Sequence, residues 1–361
     1  MESEISVVLN AIKKPVGPER SKRKVSVLKL FSWGVSVTAV APLRRLEILL
    51  QVQDSRNIKY KDIIQGLHHM RRTDGFRGLF KGNGAYIAHA MSFSSANVLV
   101  SYPLARILLS HWQQLGKENA KPPVWLLGFP ACSFMIATAA AYPMDMVQGR
   151  LSVQTGTSPY QYRGIYHALS TIVREEGTRA LYKGCLPYTI GQVLYVGLNF
   201  TVYESLLISL TSVVIRRFLE ATPISERTEL RSKGLKPEVI EEMRSTIRKK
   251  LPYFHVFALA VSHTFAYPFS VINRRMQMGG WKKYSSIIAC DGNNTVAIEF
   301  TGMRDAFMKT IRNDGFKALY KGSVANLVKV FPASVVAFVT HWGLTEGLGL
   351  EVNINHKVRD T

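Results

Sequence analysis

A proline followed downstream by a Lys-Gly phrase recurs three times in this chain of 361 residues. Each proline stands near the C-terminal end of an apolar stretch, at Pro42, Pro143 and Pro268. The phrases that follow are Phe80-Lys81-Gly82, Tyr182-Lys183-Gly184 and Tyr320-Lys321-Gly322. Self-similarity at a long period, here roughly 100 residues, indicates one structural unit used three times.

The order of segments inside each repeat is constant. An apolar segment ends in the proline and a polar tail, an amphipathic stretch closes in Asp-Gly or Glu-Gly, and a second apolar segment follows the Lys-Gly phrase. The paired apolar segments are 25–52 with 82–113, 122–152 with 184–216, and 252–279 with 322–349. Each supplies the roughly 20 residues that cross a bilayer core. The pattern predicts six transmembrane helices.

Two alternatives accompany this prediction. A large soluble helical protein with long core helices would also be rich in apolar stretches, but the similarity of six segments favours a membrane repeat protein. The prolines could simply terminate helices. Because a proline removes one backbone hydrogen bond, we expect instead three matched kinks that narrow one end of a helix bundle.

These motifs resemble those of the mitochondrial carrier family. Its members have three repeats, each with Pro-x-(Asp/Glu)-x-x-(Lys/Arg) and, further on, (Phe/Tyr/Trp)-(Lys/Arg)-Gly. The resemblance extends from about residue 25 to residue 349, and the stretch TAVAPLRRLEILLQVQ is similar to carriers of adenine nucleotides and coenzyme A. It implies an all-α membrane protein with six transmembrane helices in a threefold pseudosymmetric barrel. Three short matrix-side helices are expected near 61–73, 163–176 and 302–313.

The same resemblance divides the chain and places it in the cell. The expected parts are an N-terminal extension 1–24, repeat 1 at 25–113, repeat 2 at 122–216, an inserted loop 217–250, repeat 3 at 251–349 with an insertion near 284–300, and a tail 350–361. By resemblance the protein is a multi-pass protein of the mitochondrial inner membrane with both termini towards the intermembrane space.

Five of the six gate positions depart from the family pattern, and only Asp145 matches it. In the family, the acid two residues after each proline pairs with the base five residues after the next proline, which closes the matrix side. Here the acid positions hold Arg44, Asp145 and Ser270, and the base positions hold Glu47, Gln148 and Asn273. We therefore expect no ion pair among these six gate positions, although Arg44 and Glu47 could bridge each other one helical turn apart.

The gate on the opposite side is also reduced. The family's even-numbered helices end in (Phe/Tyr)-(Asp/Glu)-x-x-(Lys/Arg), and only Tyr203-Glu204 matches this pattern here. The other acid places hold Tyr102 and Trp342, and the base places hold Ala105, Leu207 and Thr345. Closure by packing is expected at this end.

The resemblance also indicates where a solute would bind. Family members bind their substrates at one level of the even-numbered helices, which here holds His89, Gly191, Gln192, Tyr195 and Lys329, with Arg275 nearer the matrix end. Lys329 is the main candidate, because a lysine inside a membrane is costly unless it meets water or a partner. Each residue also has a structural alternative: an unused watered lysine, a backbone-bonded histidine, a packing tyrosine, or an arginine that binds lipid.

Two positions weaken the case for a nucleotide. Nucleotide carriers usually have arginine at the place of His89 and lysine at the place of Val37. From this difference we expect a smaller anion rather than an adenine nucleotide or coenzyme A.

Charge and composition limit the partners. The formal net charge of +21 suits cardiolipin or other anionic lipid and an anionic solute. Lysine and arginine lie at segment ends and in connections, so we expect no nucleic acid partner. Cys132, Cys185 and Cys290 lack metal-ligand spacing and are expected as buried thiols. No metal, cofactor or enzyme motif is found in the sequence.

Two hypotheses for the function follow. The first is a mitochondrial inner-membrane carrier that moves a small anionic metabolite by alternating access with atypical gates. The second is a transport-inactive structural subunit of a larger inner-membrane respiratory complex, suggested by the missing gate pairs. The insertions at 217–250 and 284–300 could then dock protein partners, because loops longer than about 15 residues usually have a function or are disordered.

Overall fold

The described part of the chain is entirely helical. The computed structural model describes residues 22–53, 58–114, 128–155, 162–221, 237–279, 281 and 300–347. Within these residues there is no strand. The all-α prediction is confirmed for this part of the chain, and the tail 350–361, Cys290 and most of the insertion near 284–300 lie outside it.

Long and short helices alternate in the order expected from the repeats. The helices of the expected spans are α1 (Lys22–Ala39), continued by the 12-residue α2 (Ala41–Val52), then α4 (Asn83–Gln114), α5 (Gly128–Val153), α7 (Cys185–Ala221), α8 (Pro237–Met278) and α10 (Ser323–Gly347). The short helices are α3 (Ile63–Gly78), α6 (Ile165–Glu176) and α9 (Met303–Asp314), close to the three predicted matrix-side segments. Short 3-10 turns follow α6 and α9 at Thr178–Tyr182 and Phe316–Tyr320.

Two stretches of the described chain are long and apolar enough to cross a membrane. They are Thr178–Phe218 and Ser245–Met278. The helix α2 carries three charged residues in its first two turns, Arg44, Arg45 and Glu47, which lower the mean hydropathy of the first expected span. Six spans therefore remain a prediction, while two follow from length and hydropathy.

The described residues form two compact units. The larger unit contains the described parts of Arg23–Gly191 and Tyr267–Thr361, and the smaller unit contains those of Gln192–Ala266. In the smaller unit, Ile215 of α7 and Met243 and Ile247 of α8 are buried. Residues 217–221 and 237–250 of the expected inserted loop are helical, since α7 continues to Ala221 and α8 begins at Pro237.

The three prolines have different effects on their helices. Helix α1 ends at Ala39 and α2 begins at Ala41, so the helix breaks two residues before Pro42, at Val40, which has φ −95° and ψ 5°. Pro143 and Pro268 instead lie inside the continuous helices α5 and α8. The helix is interrupted only in the first of these three segments.

Each short helix buries one narrow stripe of small or apolar residues. The pairs are Gly66 with Met70, Ala168 with Ile172, and Ala306 with Thr310. A spacing of four residues places each pair on one helical face, so each short helix lies with that face against its repeat.

Three buried arginines connect the repeats of the larger unit, and we call them the arginine ring: Arg45, Arg150 and Arg275. Each arginine binds an acid on the short helix of its own repeat, respectively Asp74 at 2.6 Å, Glu176 and Asp314. Each also donates to a carbonyl nine residues after the next repeat's proline, at Ser152, Gln277 and Gln51. Repeat 1 is thereby bonded to repeat 2, repeat 2 to repeat 3, and repeat 3 to repeat 1.

The first repeat reaches this arrangement by a different residue. Arg150 and Arg275 stand seven residues after their prolines, where repeat 1 has Leu49. Arg45 stands one helical turn earlier, and its guanidinium also donates to the carbonyls of Gly78 and Gln154, at 2.6 and 2.7 Å. Beside it, burial lowers the pKa of the Lys81 ammonium, and the Asp74 carboxylate 3.6 Å away opposes that change.

The glycines of the Lys-Gly phrases lie against the next repeat. Gly82, Gly184 and Gly322 have φ of +85°, +87° and +84°. A Cβ on Gly184 would lie 2.7 Å from Asn273 Oδ1 of repeat 3, and one on Gly322 would lie 3.1 Å from the carbonyl oxygen of Glu47 in repeat 1. Both tyrosines that precede the prolines of repeats 2 and 3 also donate to a Lys-Gly carbonyl, Tyr142 to Lys183 and Tyr267 to Lys321.

One expectation about the cysteines is wrong. Cys132 is exposed and Cys185 is half-buried. Cys132 lies on α5 beside other outward-facing residues, including Met135 and Ile136, which are about half exposed. An apolar outer helix face is typical of a lipid contact, so Cys132 is exposed because it lies on that face and not in a core.

We expect Gly322→Ala to destabilise the protein by about 2 kcal/mol or more, because a Cβ disfavours a positive φ and would lie 2.8 Å from the Tyr267 hydroxyl. The measurement is the thermal unfolding midpoint in mild detergent. Gly34→Ala is the control, since a Cβ there meets no atom within 4 Å. Equal midpoints for both variants would contradict the close approach.

We expect Arg150→Gln to lower stability by about 3 kcal/mol, because it leaves the carboxylate of Glu176 without its buried cation. The same midpoint is measured. Arg72→Gln removes an exposed arginine of α3 and is expected to change stability by less than about 0.5 kcal/mol. A loss at position 150 no larger than that at position 72 would mean that the arginine ring contributes little.

Candidate functional site

The main binding candidate, Lys329, is bound to a gate position. Its ammonium on α10 lies 2.5 Å from Oε2 of Glu47 on α2. The Lys329 side chain is 21% exposed and that of Glu47 is 8% exposed. Gln51, one turn further along α2, donates to the other oxygen of Glu47 at 3.3 Å. In this structure the positive charge of Lys329 is therefore neutralised by a carboxylate of the first repeat.

A second ion pair joins repeats 2 and 3. Arg274 of α8 donates to both carboxylate oxygens of Asp145 on α5, at 2.9 and 3.1 Å. Gln277 adds a bond of 2.8 Å to the same carboxylate. A bidentate arginine-carboxylate pair with further hydrogen bonds is the arrangement that makes a buried pair favourable.

These two ion pairs involve gate positions, although the family's pairing positions did not predict them. The six gate positions form no ion pair with one another in the described residues, as expected, but Asp145 and Glu47 pair with cations outside the six, Arg274 and Lys329. The alternative bridge between Arg44 and Glu47 is not formed. Comparison of the family's pairing positions did not reveal these pairs, because Arg274 stands one residue after the pairing position Asn273 and Lys329 lies on another helix, α10.

Arg44 has a different environment from the other buried cations. The carbon of its guanidinium lies over the ring of Tyr86 on α4, 3.5 Å from the ring centroid. Its Nη1 is buried and donates to no hydrogen-bond acceptor. The ring of Trp33 on α1 is 6.2 Å from that of Tyr86. The guanidinium is held by an aromatic face rather than by a carboxylate.

His89 lies one turn beyond Tyr86 on the same helix. It is 7% exposed, and neither ring nitrogen has a hydrogen-bond partner. Its ring centroid is 6.2 Å from those of Tyr86 and of Tyr188 on α7. The backbone-bonded alternative for His89 is therefore excluded by its contacts.

The remaining gate positions carry neutral contacts. Gln148 is 1% exposed, and its Oε1 has no partner. Ser270 accepts from Gln51 at 3.5 Å, and Asn273 Oδ1 lies 2.7 Å from the Tyr142 hydroxyl. These contacts are weaker than ion pairs, so the two ionic contacts dominate this level of the larger unit.

Three binding candidates lie at the division between the two units. Gly191 is buried at the end of the larger unit. Gln192 and Tyr195 are both half-buried and belong to the smaller unit, whereas His89 and Lys329 belong to the larger one. Their joint role in binding a solute stays a prediction.

Arg275 has a structural partner in the arginine ring, where it binds Asp314 and the carbonyl of Gln51. The acids of the ring all precede a glycine with positive φ, at Gly75, Gly177 and Gly315. The same acid-glycine dipeptide recurs in all three repeats of the sequence, where it indicates both the end of the amphipathic stretch and the acid that binds a ring arginine.

The opposite gate is only partly described. Tyr203 packs edge-on against His255, with ring centroids 6.1 Å apart, inside the smaller unit. Glu204 and Leu207 are half-buried. The side chains of Tyr102, Ala105, Trp342 and Thr345 lie outside the described residues, so closure by packing stays a prediction. In the described residues, no group of three or more His, Cys, Asp or Glu side chains is placed to hold a metal ion.

We expect Glu47→Gln and Lys329→Gln each to destabilise the protein, because each leaves the other charge buried without its partner. The double variant should lose less than the sum, with a coupling of about 1.5 kcal/mol or more. A double-mutant cycle of unfolding midpoints measures it. The pair Asp305–Lys309, exposed on α9 at 2.8 Å, is the control and should show a smaller coupling. Equal coupling in both cycles would contradict a strong buried contact.

Comparison with known proteins agrees with the three repeats. A model of the mitochondrial carrier protein family matches residues 27–111, 121–213 and 255–348. A mitochondrial adenine nucleotide transporter of Arabidopsis thaliana is 49% identical over 325 residues, which are 89% of this chain and 86% of that protein. A mitochondrial coenzyme A transporter of Xenopus laevis is 28% identical over 90% of this chain and 87% of its own. The chain belongs to the mitochondrial carrier family, whose members are transporters and not enzymes.

Proposed function

We propose that this protein exchanges an adenine nucleotide across the mitochondrial inner membrane by alternating access. The observation that carries this proposal is the guanidinium of Arg44 over the ring of Tyr86, with no carboxylate bound to it. The similarity at 49% identity to a protein named as an adenine nucleotide transporter supports it.

The charges of the site favour an anion. Among the charged residues described at this level, Arg44, Arg274 and Lys329 are cations, whereas Glu47 and Asp145 are the only acids. One positive charge is left over, before any contribution from His89. Surplus positive charge in a partly buried site attracts and holds anionic ligands.

The aromatic side chains around Arg44 favour a ligand with a planar ring. The rings of four side chains follow one another with centroids 6.2 Å apart, in the order Trp33, Tyr86, His89 and Tyr188. Stacking of a nucleic acid base on an aromatic side chain contributes about 1–3 kcal/mol. A small carboxylate would use only the charges, whereas a base could also contact these aromatic side chains.

The preference for a smaller anion rested on Val37 and His89. Val37 is 5% exposed, so its side chain is packed away from solvent. His89 retains two unpartnered ring nitrogens that can meet a ligand. Nucleotide carriers usually have a cation at the places of Val37 and His89, and here Arg44 supplies a positive charge instead. This supports a nucleotide as the substrate.

The family's architecture supplies the rest of the proposal. Six spans form a threefold pseudosymmetric barrel, both termini face the intermembrane space, and the three repeats have the boundaries given above. Anionic lipid such as cardiolipin binds at its surface. The comparisons give no support to a structural subunit of a respiratory complex, because the similar proteins are named as transporters. Protein partners at the inserted segments stay a prediction.

Substrate exchange requires the helices to separate at the end that holds the gate positions. The pairs Glu47–Lys329 and Asp145–Arg274 hold helices of different repeats together at that end. A bound anion that attracts Lys329 or Arg274 weakens these pairs, and a ligand shifts an equilibrium only by its differential affinity for the two states. Binding and opening are thereby linked through the same cations.

The test is exchange in liposomes that contain the purified full chain. We expect liposomes loaded with ADP to take up labelled ATP or AMP, and Lys329→Ala to reduce the rate about tenfold or more. Lys309→Ala, an exposed position of α9, is the control for loss of a lysine. Coenzyme A and citrate are tested in the same assay. Exchange of citrate without nucleotide exchange would overturn the proposed substrate, and no exchange of any solute would overturn transport.

A further inference from the structure

The buried and half-buried cations of the larger unit differ in whether a carboxylate binds them. Five of them are paired: Arg45 with Asp74, Arg150 with Glu176, Arg274 with Asp145, Arg275 with Asp314, and Lys329 with Glu47. Arg44 makes no ion pair in the described residues, although it stands only three residues before Glu47. The acid nearest along its helix is already bound to Lys329.

Arg44 also has unused hydrogen-bonding capacity. Its Nη1 is shielded from solvent and has no acceptor. A buried donor without an acceptor costs about 1–3 kcal/mol, so such a group in a folded protein requires an explanation. The contact with Tyr86 holds the guanidinium through its face and leaves the donors at its edge available for a ligand.

A second unpartnered group lies beside the same tyrosine. Both nitrogens of His89 are buried without a hydrogen-bond partner. The Arg44 guanidinium is 3.5 Å and the His89 ring 6.2 Å from the centroid of Tyr86, so the two groups are at most about 10 Å apart. A phosphate or a diphosphate that accepts hydrogen bonds of about 2.8 Å from both groups would bridge a separation of this order.

We propose that Arg44 and His89, placed around Tyr86, bind a phosphate group of the transported solute, so that Arg44 acts as a substrate-binding residue and not as a gate residue. This inference rests on the proposed function and assigns one part of its site. Arginine suits phosphate because its planar donors form two parallel hydrogen bonds with the oxygens.

The arrangement also gives Arg44 and Lys329 different roles. Lys329 must release Glu47 before it can bind an anion, whereas Arg44 has no carboxylate to release. A phosphate therefore meets Arg44 first in this closed state. Specificity for a phosphorylated solute would come from Arg44, and the response of the gate would come from Lys329.

The experiment measures binding to the full chain in detergent, by calorimetry and by ligand-induced thermal stabilisation. The probes are AMP, adenosine, which has the same base and sugar without phosphate, and inorganic pyrophosphate. We expect Arg44→Gln to reduce the affinity for AMP and pyrophosphate at least tenfold and to leave weak adenosine binding unchanged. Arg72→Gln, the exposed control on α3, should match the unaltered chain. His89→Asn should give a smaller loss for both phosphate probes.

A merely structural role for Arg44 would have another signature. It would lower the melting temperature without ligand, or reduce the affinities for AMP and adenosine by the same factor. If Arg44→Gln does not fold, Arg44→Lys keeps the charge without the planar donors and should reduce AMP affinity about threefold to tenfold at an unchanged melting temperature. Equal loss for AMP and adenosine in either variant overturns the inference.

The outcomes separate this inference from the proposed function. Unchanged AMP binding in Arg44→Gln, together with nucleotide exchange by the unaltered chain, overturns the inference alone. Arg44-dependent binding of pyrophosphate without any nucleotide exchange supports the phosphate site and overturns the proposed substrate. If the unaltered chain binds neither AMP nor pyrophosphate, both proposals are overturned.

Discussion

The contact on which the larger unit depends is the bond of each ring arginine to two repeats at once. Arg45, Arg150 and Arg275 each take a carboxylate from their own short helix and a backbone carbonyl from the next repeat. A buried guanidinium is costly unless its charge is paired and its donors are used. Each arginine therefore holds its short helix and the neighbouring repeat in a defined position. The glycines of the Lys-Gly phrases then allow the close approach.

A second set of charges at the same end breaks the threefold pattern, and the proposed function rests on this asymmetry. Asp145 pairs with Arg274 and Glu47 pairs with Lys329, whereas Arg44 has only the ring of Tyr86. A symmetric ring of ion pairs would neutralise every cation. Here one cation is left over beside an unpartnered histidine and several aromatic rings. In the function proposed above, the departures from the family motif leave this positive charge for an anionic solute with a planar ring.

Much of the fold could be predicted from the sequence, and less of the site. The repeats, the helical class and the three short helices follow from motif spacing and hydrophobic periodicity, which are local or regularly repeated signals. The partners of Asp145 and Glu47 could not be predicted, because Arg274 and Lys329 lie 129 and 282 residues away in sequence. Comparison with family positions covered only pairs among the six gate positions and therefore did not reveal these two partners. The exposed thiol of Cys132 was missed for a similar reason, since residue type alone does not reveal which helix face meets lipid.

The sequence by itself determined that three copies of one helical unit are present, that the family's pairing positions have changed, and that the chain is strongly basic. These properties depend on residue order and composition alone. Only the tertiary structure decided which cation each acid takes, because reach and packing select among several arginines and lysines of equal charge. It bonded Arg45 to the same kinds of partner as its counterparts one turn later, neutralised Lys329 with Glu47, and left Arg44 over Tyr86 with a buried donor unused. A side chain's role in binding follows from what its neighbours have already bonded, which only the folded arrangement specifies.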